Sequence, residues 1–513
     1  MYNPAFPAGA SSSNSTSAVN NSNFISYLLE PQLSWSKNMN KSKIEVLVGA
    51  SYQETISKLL AVRGTGYTSN ALLHNIAAAS VINIESLNES DYRYAAVFAR
   101  ANWNYNKKYI FNVTGRRDGS SRFGPNKRFA NFGALGGAWI ISEESFLKNQ
   151  KWLSFAKLRA SYGITGSDRI GDYQYLNTYT VTASPYNAVS AFAPSKLFNP
   201  DFSWEKTKKL ETALEISLLK SRVSLTTSWY RNRSSNQLVG VQLPLITGFS
   251  SVQANLNATV ENNGWEFELS SQIIKSSDWR WNSGFNISIP KNKLISFPGL
   301  EGSPYATMYV VGQPTTILKL LEYQGIDPAT GQYRFKDANN DGKISILDDA
   351  QTIENIGVKF FGGWQHEVKY RNLSFSFLLQ FVKQRQTNYF RDMSIPGTLS
   401  NQPAAFTNVW SSENPNGIIM PYSSGSNPTA STMTTYLKYS TAAVSDASFV
   451  RLKNVQLNYT IPVKGKLLSE AKIFLQGQNL LTWTNYFGID PEFLVTGYLP
   501  PLKTYSMGVQ ITF

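Results

Sequence analysis

The sequence contains no cysteine and only two histidines, His74 and His366. Without cysteine there is no disulfide, thiolate metal centre, iron–sulfur cluster or cysteine nucleophile. Two histidines leave almost no material for a histidine metal site or a histidine-based triad. Charge is sparse as well, at 16% of residues against about 25% in an average soluble domain. Long apolar runs are missing. No stretch approaches the ~18 consecutive apolar residues of a membrane helix, and the densest patch, Ser376–Val382, is short. Residues 1–30 lack the basic segment and apolar core of a secretory signal. In their place Ala8–Asn23 is rich in Ser and Asn and reads as a solvated loop. A chain that opens inside such a loop points to a start further upstream.

Aromatic residues are abundant, with 12 Trp, 27 Tyr and 29 Phe, and hydrophobic residues make up 42% of the chain. That content can bury a core and excludes global disorder. The apolar residues recur with period two. Ile44, Val46, Val48, Ala50 and Tyr52 share one face, as do Val97, Ala99, Ala101, Trp103 and Tyr105. Leu158, Ala160 and Tyr162 alternate with Lys157, Arg159 and Ser161. Leu210, Thr212, Leu214, Ile216 and Leu218 alternate with Glu211 and Glu215. Trp265, Phe267 and Leu269 alternate with Glu266 and Glu268. Strict alternation is the strand signature, and roughly fifteen segments carry it. Helical spacing is scarce, with Ser145–Leu153 the best short candidate.

Two properties of these strands argue against a dry β-sandwich. They run to about ten residues, where strands of globular proteins average ~5–6. Their apolar faces carry Trp and Tyr near the ends, while the opposite faces carry Arg100, Arg159, Glu211, Glu215, Glu266 and Glu268, which need water. A transmembrane barrel explains both, with lipid outside, a polar lumen inside and aromatic girdles at the interfaces. The chain closes on Tyr505, Met507, Val509, Ile511 and Phe513 at alternate positions, like the terminal strand of a bacterial outer-membrane barrel. Connections are unequal. Lys220–Arg222 and Tyr370–Asn372 are tight, whereas Asp168–Ser195, Ile289–Phe361 and Arg385–Ser445 are long, as outer-membrane barrels require.

Several segments carry a family likeness. Gly115–Phe129 (GRRDGSSRFGPNKRF), Trp139–Phe146, Leu158–Tyr175, Ser203–Leu219 and Phe474–Glu492 resemble the SusC/RagA family of TonB-dependent outer-membrane transporters over most of the chain. The resemblance implies an all-β, antiparallel transmembrane barrel of about 22 strands in the outer membrane of a Gram-negative bacterium. It implies import of bulky nutrients, oligosaccharides or oligopeptides, with a SusD-like surface lipoprotein and the TonB complex as partners. Family members begin with a signal peptide, a TonB-contact segment and a plug, and none of these is recognisable before Asn40. Residues 1–513 therefore read as the C-terminal part of such a transporter. Its first strands and plug are missing, so it is not competent for energised transport alone.

One local motif carries chemistry of its own. Asp337, Asn339 and Asp341 occupy positions 1, 3 and 5 of a calcium-loop pattern. Gly342 makes the sharp turn, Lys343 offers its carbonyl, and Ser345 and Asp348 stand at positions 9 and 12. The occupant would be a structural calcium ion in the long extracellular connection 290–360. The alternative is an Asx-rich turn, since Asp, Asn and Gly also favour turns. No cofactor for chemistry and no enzymatic activity are expected. Glu143-Glu144 and Asp348-Asp349 are adjacent and would point to opposite faces on a strand, and His366 lacks the second histidine of a zinc motif. The +14 net charge does not suggest nucleic acid, because its only dense group is Arg116, Arg117, Arg122, Lys127 and Arg128. At a membrane rim that group could meet anionic outer-membrane lipid. Tyr173, Tyr175, Tyr179, Tyr186, Tyr305 and Tyr309 offer rings for sugar stacking, either in a transporter or in the alternative function, a secreted or surface glycan-binding protein.

Overall fold

The computed structural model describes residues 2–3, 15–181, 191–243, 245–249, 251–462, 469–494 and 499–513. Alternation becomes sheet along almost the whole chain. The long strands are β1 (Thr16–Leu29), β2 (Gln32–Met39), β3 (Ser42–Thr65), β4 (Val81–Tyr105), β5 (Tyr109–Ser120), β6 (Phe129–Ile140), β7 (Leu153–Ser167) and β8 (Glu205–Leu218). They continue as β9 (Val223–Ser235), β10 (Thr259–Lys275), β11 (Trp279–Ser296), β12 (Phe360–Tyr370), β13 (Leu373–Lys383), β14 (Phe449–Ile461), β15 (Glu470–Thr484) and β16 (Thr504–Thr512). With Tyr2–Asn3 they form one 17-stranded antiparallel sheet. From β2 onward each long strand pairs with its neighbour in sequence, so the topology is an up-and-down meander. β1 and β2 lie end to end along β3, interrupted at Pro31, which has no N–H to give to the ladder.

The sheet is an open barrel wall. Among the described residues β16 pairs only with β15, and β1 and β2 pair only with β3 and with Tyr2–Asn3. The expected incompleteness of the barrel is therefore visible as two free edges.

The two ends differ as the sequence implied. At one end the turns are short, two to four residues at 106–108, 219–222 and 371–372, and Asn106, Lys107, Lys220 and Arg371 take positive φ there, as tight hairpin turns require. At the other end lie the long connections. Two expectations need correction. The Ser/Asn-rich segment is not wholly a loop: from Thr16 to Asn23 it is the first half of β1, because alternation with β3 outweighs its polar composition, while 8–14 lie outside the described residues. The connection placed at 290–360 begins later, since Pro290–Ser296 complete β11.

Among the described residues the buried apolar clusters gather at the long-connection end of the wall. One cluster joins Leu321, Tyr333, Phe335, Met393, Phe406, Ile419, Met420, Ala430 and Leu437. A second joins Phe123, Phe132, Tyr175, Phe202 and Trp204, and a third Ala258, Leu294, Phe297 and Leu300. The wall itself has no second sheet against it, so its outer apolar side chains stay exposed, among them Trp265, Leu269 and Trp279.

Candidate functional site: a two-faced barrel wall and its loop lobe

The register defines the outer face row by row. Thr212, Trp229, Trp265 and Ile289 stand opposite one another across β8 to β11. Below them come Leu214, Thr227, Phe267 and Ile287, then Ile216, Leu225, Leu269 and Phe285. At the short-turn end Trp279 stacks on Tyr370 at 4.5 Å, and Trp103, Tyr105, Tyr109 and Phe111 form a continuous aromatic run. On β11 ten residues separate the Trp265 row from Trp279. At about 3.3 Å per residue and a tilt of about 40°, that is about 25 Å. The height equals that of the apolar band of an outer-membrane barrel.

The inner face is polar. Arg159 pairs with Glu211 and, at 3.0 Å, with Glu215, which Lys157 also reaches at 3.3 Å. Arg159, Glu211 and Glu215 were expected to face water, and Arg159 and Glu211 line a cavity of about 1380 Å³ together with Lys209, Tyr230, Asn232, Asn262 and Glu266. The opposite side of that cavity is the connection after β11, folded back into the lumen. Thr315 gives its N–H and Oγ1–H to Asn292 Oδ1 at 2.6 and 2.8 Å, and Leu294 N–H reaches Gln313 O at 2.8 Å.

The loop of the calcium-like motif is closed by its own side chains. Asp337 accepts from the N–H groups of Asn340 and Gly342 at 2.7 and 2.8 Å. Asn339 Oδ1 accepts from Asp341 N–H, and Asp341 Oδ1 from Lys343 N–H. Ser345 Oγ caps the short helix Ile346–Asp349 and bonds Asp348 Oδ2 at 2.8 Å. The carboxylate that ties the loop together is Asp349, outside the motif. It collects the N–H groups of Ser345, Ala338 and Asn339, and these bonds, with Ser345 foremost, hold it below the usual aspartate range. The structure thus gathers Asp337, Asn339, Asp341, Lys343, Ser345 and Asp348 into one loop. Among the described residues no three His, Cys, Asp or Glu side chains converge as a metal cluster.

The remaining candidates mostly serve the fold. Tyr175 is buried. Tyr305 packs on Phe297 at 5.8 Å and donates to Gly240 O, and Tyr309 lies against Tyr305. Tyr173 bonds the backbone of Asp91, Tyr186 lies outside the described residues, and Tyr179 presents an open ring, 60% exposed. In the basic group Arg116 pairs with Asp118 and Arg122 with Asp172, both internally. His366 is buried on the outer face, accepting from Trp281 Nε1–H at 3.1 Å beside Phe377. The segment 145–153 is not a helix. Residues 145–149 form hydrogen-bonded turns after the 3₁₀ segment Ile141–Glu143, and the Glu144 carboxylate accepts from Lys108, Tyr109 and Trp139.

Two features were missed from the sequence. Helix Pro428–Lys438 caps on Asn427 with proline in its first turn, a start signal legible in Asn427-Pro428. Arg451 is 1% exposed and holds Asp490 and Glu492 at 2.6 Å each. It thereby clamps the last long connection, whose Phe487 packs on Tyr389 and Phe390.

A meander of long two-faced strands with an aromatic belt at each rim and a charged lumen defines an outer-membrane transporter-type barrel. The chain belongs to the TonB dependent receptor-like, beta-barrel family, whose model matches residues 2–480. It is 29% identical to TonB-dependent receptor P26 of Formosa agariphila over 97% of this chain and 53% of that protein. It is 26% identical to TonB-dependent receptor SusC of Bacteroides thetaiotaomicron over 81% of this chain and 43% of that protein. Among solved structures, that of the RagAB peptide transporter superposes with a TM-score of 0.85 at 25% identity, covering 97% of this chain and 56% of that one. The chain therefore spans about half the length of the curated relatives it matches, and the SusC/RagA resemblance of the sequence holds.

Proposed function

We propose that this chain supplies barrel wall to a TonB-linked importer of bulky nutrients in the outer membrane of a Gram-negative bacterium. The observation that carries the proposal is the in-register division of the wall into a lipid-compatible belt about 25 Å high and a charged, polar inner face. Two free edges cannot remain unpaired in lipid, so the working importer includes further strands, a plug and a TonB-contact segment, and this stretch alone does not transport. A SusD-like lipoprotein is the partner at the long-loop end. Oligopeptides and oligosaccharides are the substrate classes. The mixed charge of Arg159, Lys209, Glu211 and Glu266, and the likeness to a structure described as a peptide transporter, make oligopeptides the first to test.

The test is uptake of labelled peptides and of labelled glycans by cells carrying the chain in its complete assembly, alongside outer-membrane fractionation and heat-modifiable migration on gels. Fractionation with soluble proteins, without heat modifiability, refutes the barrel reading. Uptake of glycans alone refutes the peptide preference.

A further inference from the structure

Above the Trp229–Trp265 row the outer face changes character. The next row is Leu210, Arg231, Asn263 and Lys291, and the one beyond is Lys208, Arg233, Glu261 and Lys293. No register shift falls between these rows and the tryptophans, so alternation places the five cations on the face of Trp265, although Lys291 and Lys293 also border the inner cavity at this level of the wall. Strand spacing of about 4.8 Å makes the patch about 15 Å wide, and the two rows lie about 5 and 10 Å above the tryptophans. That is headgroup level, where a cation on a barrel's outer face costs little.

The patch is poorly neutralised from within. Glu261 is its single carboxylate, and it is engaged by Arg233 at 2.5 Å and by Asn263 Nδ2 at 3.0 Å. Among the described residues Lys208, Arg231, Lys291 and Lys293 form no ion pair. The basic group that is dense in sequence behaves oppositely, with Arg116 and Arg122 paired to Asp118 and Asp172.

We propose that this patch binds the phosphate groups of an anionic lipid of the outer leaflet. Guanidinium and ammonium groups in two rows give charge-assisted hydrogen bonds to phosphate oxygens, while the acyl chains lie along Trp265, Phe267 and Leu269. The inference rests on the outer-membrane reading above. It adds a lipid site on the face of the wall that carries Trp265, opposite the face of Lys209 and Glu211.

The test uses the chain in its complete assembly, inserted in phosphatidylcholine vesicles carrying either lipid A or lipid A stripped of its phosphates, and reads the lipid retained after mild detergent extraction. The double variant Lys291→Gln/Lys293→Gln leaves the Arg233–Glu261 pair intact. Each cation near such a surface is worth about fivefold in binding, so the variant should retain phosphorylated lipid A about 25-fold less tightly. Lys209→Gln on the inner face should change nothing, and stripped lipid should be retained weakly by all. Equal retention of phosphorylated and stripped lipid, or equal retention by wild type and double variant, overturns the site. Displacement by millimolar inorganic phosphate without lipid retention assigns it to a free anion and overturns the lipid source. If wild type inserts with heat-modifiable migration and fails these tests, only this inference falls. If the complete assembly never inserts, the outer-membrane reading falls and takes the lipid site with it.

Discussion

Leu269 and Glu268 are neighbours in β10 and face opposite sides of the wall. Leu269 lies in the row of Ile216, Leu225 and Phe285. Phe285 is four residues below Ile289 and six above Trp279, so this row is near the middle of a band about 25 Å high. Arginine at the midplane of a barrel's lipid face costs about 2–4 kcal/mol. Glu268 faces the lumen, beside the same cavity as Glu266, and has no ion pair to lose among the described residues. Leu269→Arg should therefore lower the stability of the complete assembly, inserted in vesicles, by about 2–4 kcal/mol, and Glu268→Arg by less than about 1 kcal/mol. Urea titration of the inserted protein, read as the heat-modifiable gel shift, measures both. A similar loss at the two positions, or a larger one at Glu268, refutes the assignment of faces and with it the membrane reading of the register.

Arg451→Met should loosen the last long connection by about 3 kcal/mol, the low end for breaking a buried ion pair, because Glu492 keeps Lys453 at 3.0 Å. Hydrogen exchange of the amides from Ile489 to Phe493 reports it, and unchanged exchange would show that Phe487 packing alone holds the segment. Glu144 is held down at about 2 by hydrogen bonds from Lys108, then Tyr109 and Trp139. A depressed carboxylate stabilises the fold above its ordinary pKa, and that contribution is lost as pH falls from about 4.5 towards 2. Trp139 fluorescence should change across that window in wild type and stay flat in Glu144→Gln, and identical profiles would remove Glu144 from the account. In the calcium reading of the Asp337–Asp348 loop, Asp341→Ala raises cleavage at Lys343 and abolishes protection by added calcium. Equal wild-type cleavage in calcium and in chelator favours the hydrogen-bonded turn.

The wall was legible because a strand's side-chain period of two is local: Leu158 and Arg159 declare their faces without reference to any partner. The lumenal ladder of Arg159, Glu211 and Glu215 follows from the same rule. The loop lobe was not legible, since Phe406, Tyr333 and Leu437 meet across connections whose lengths carry no pairing rule. The calcium motif was legible as a loop, but its organising carboxylate is Asp349, one residue past the motif, and no spacing rule marks it. The basic patch lies between these cases. Once the tight turn at 219–222 is fixed, Lys208 must oppose Arg233, whereas Glu261 opposes Lys293 only through a one-residue irregularity between Gln272 and Ile274, above the 276–278 turn. The pairing of Arg233 with Glu261 spans the connection 236–258, and its register is free in sequence. What fixes it is burial: a slip of one residue would turn Trp265, Phe267 and Leu269 into the lumen and Glu266 and Glu268 into lipid. The apolar rows thus set the register, and the cations above the tryptophans are brought into one patch as a consequence.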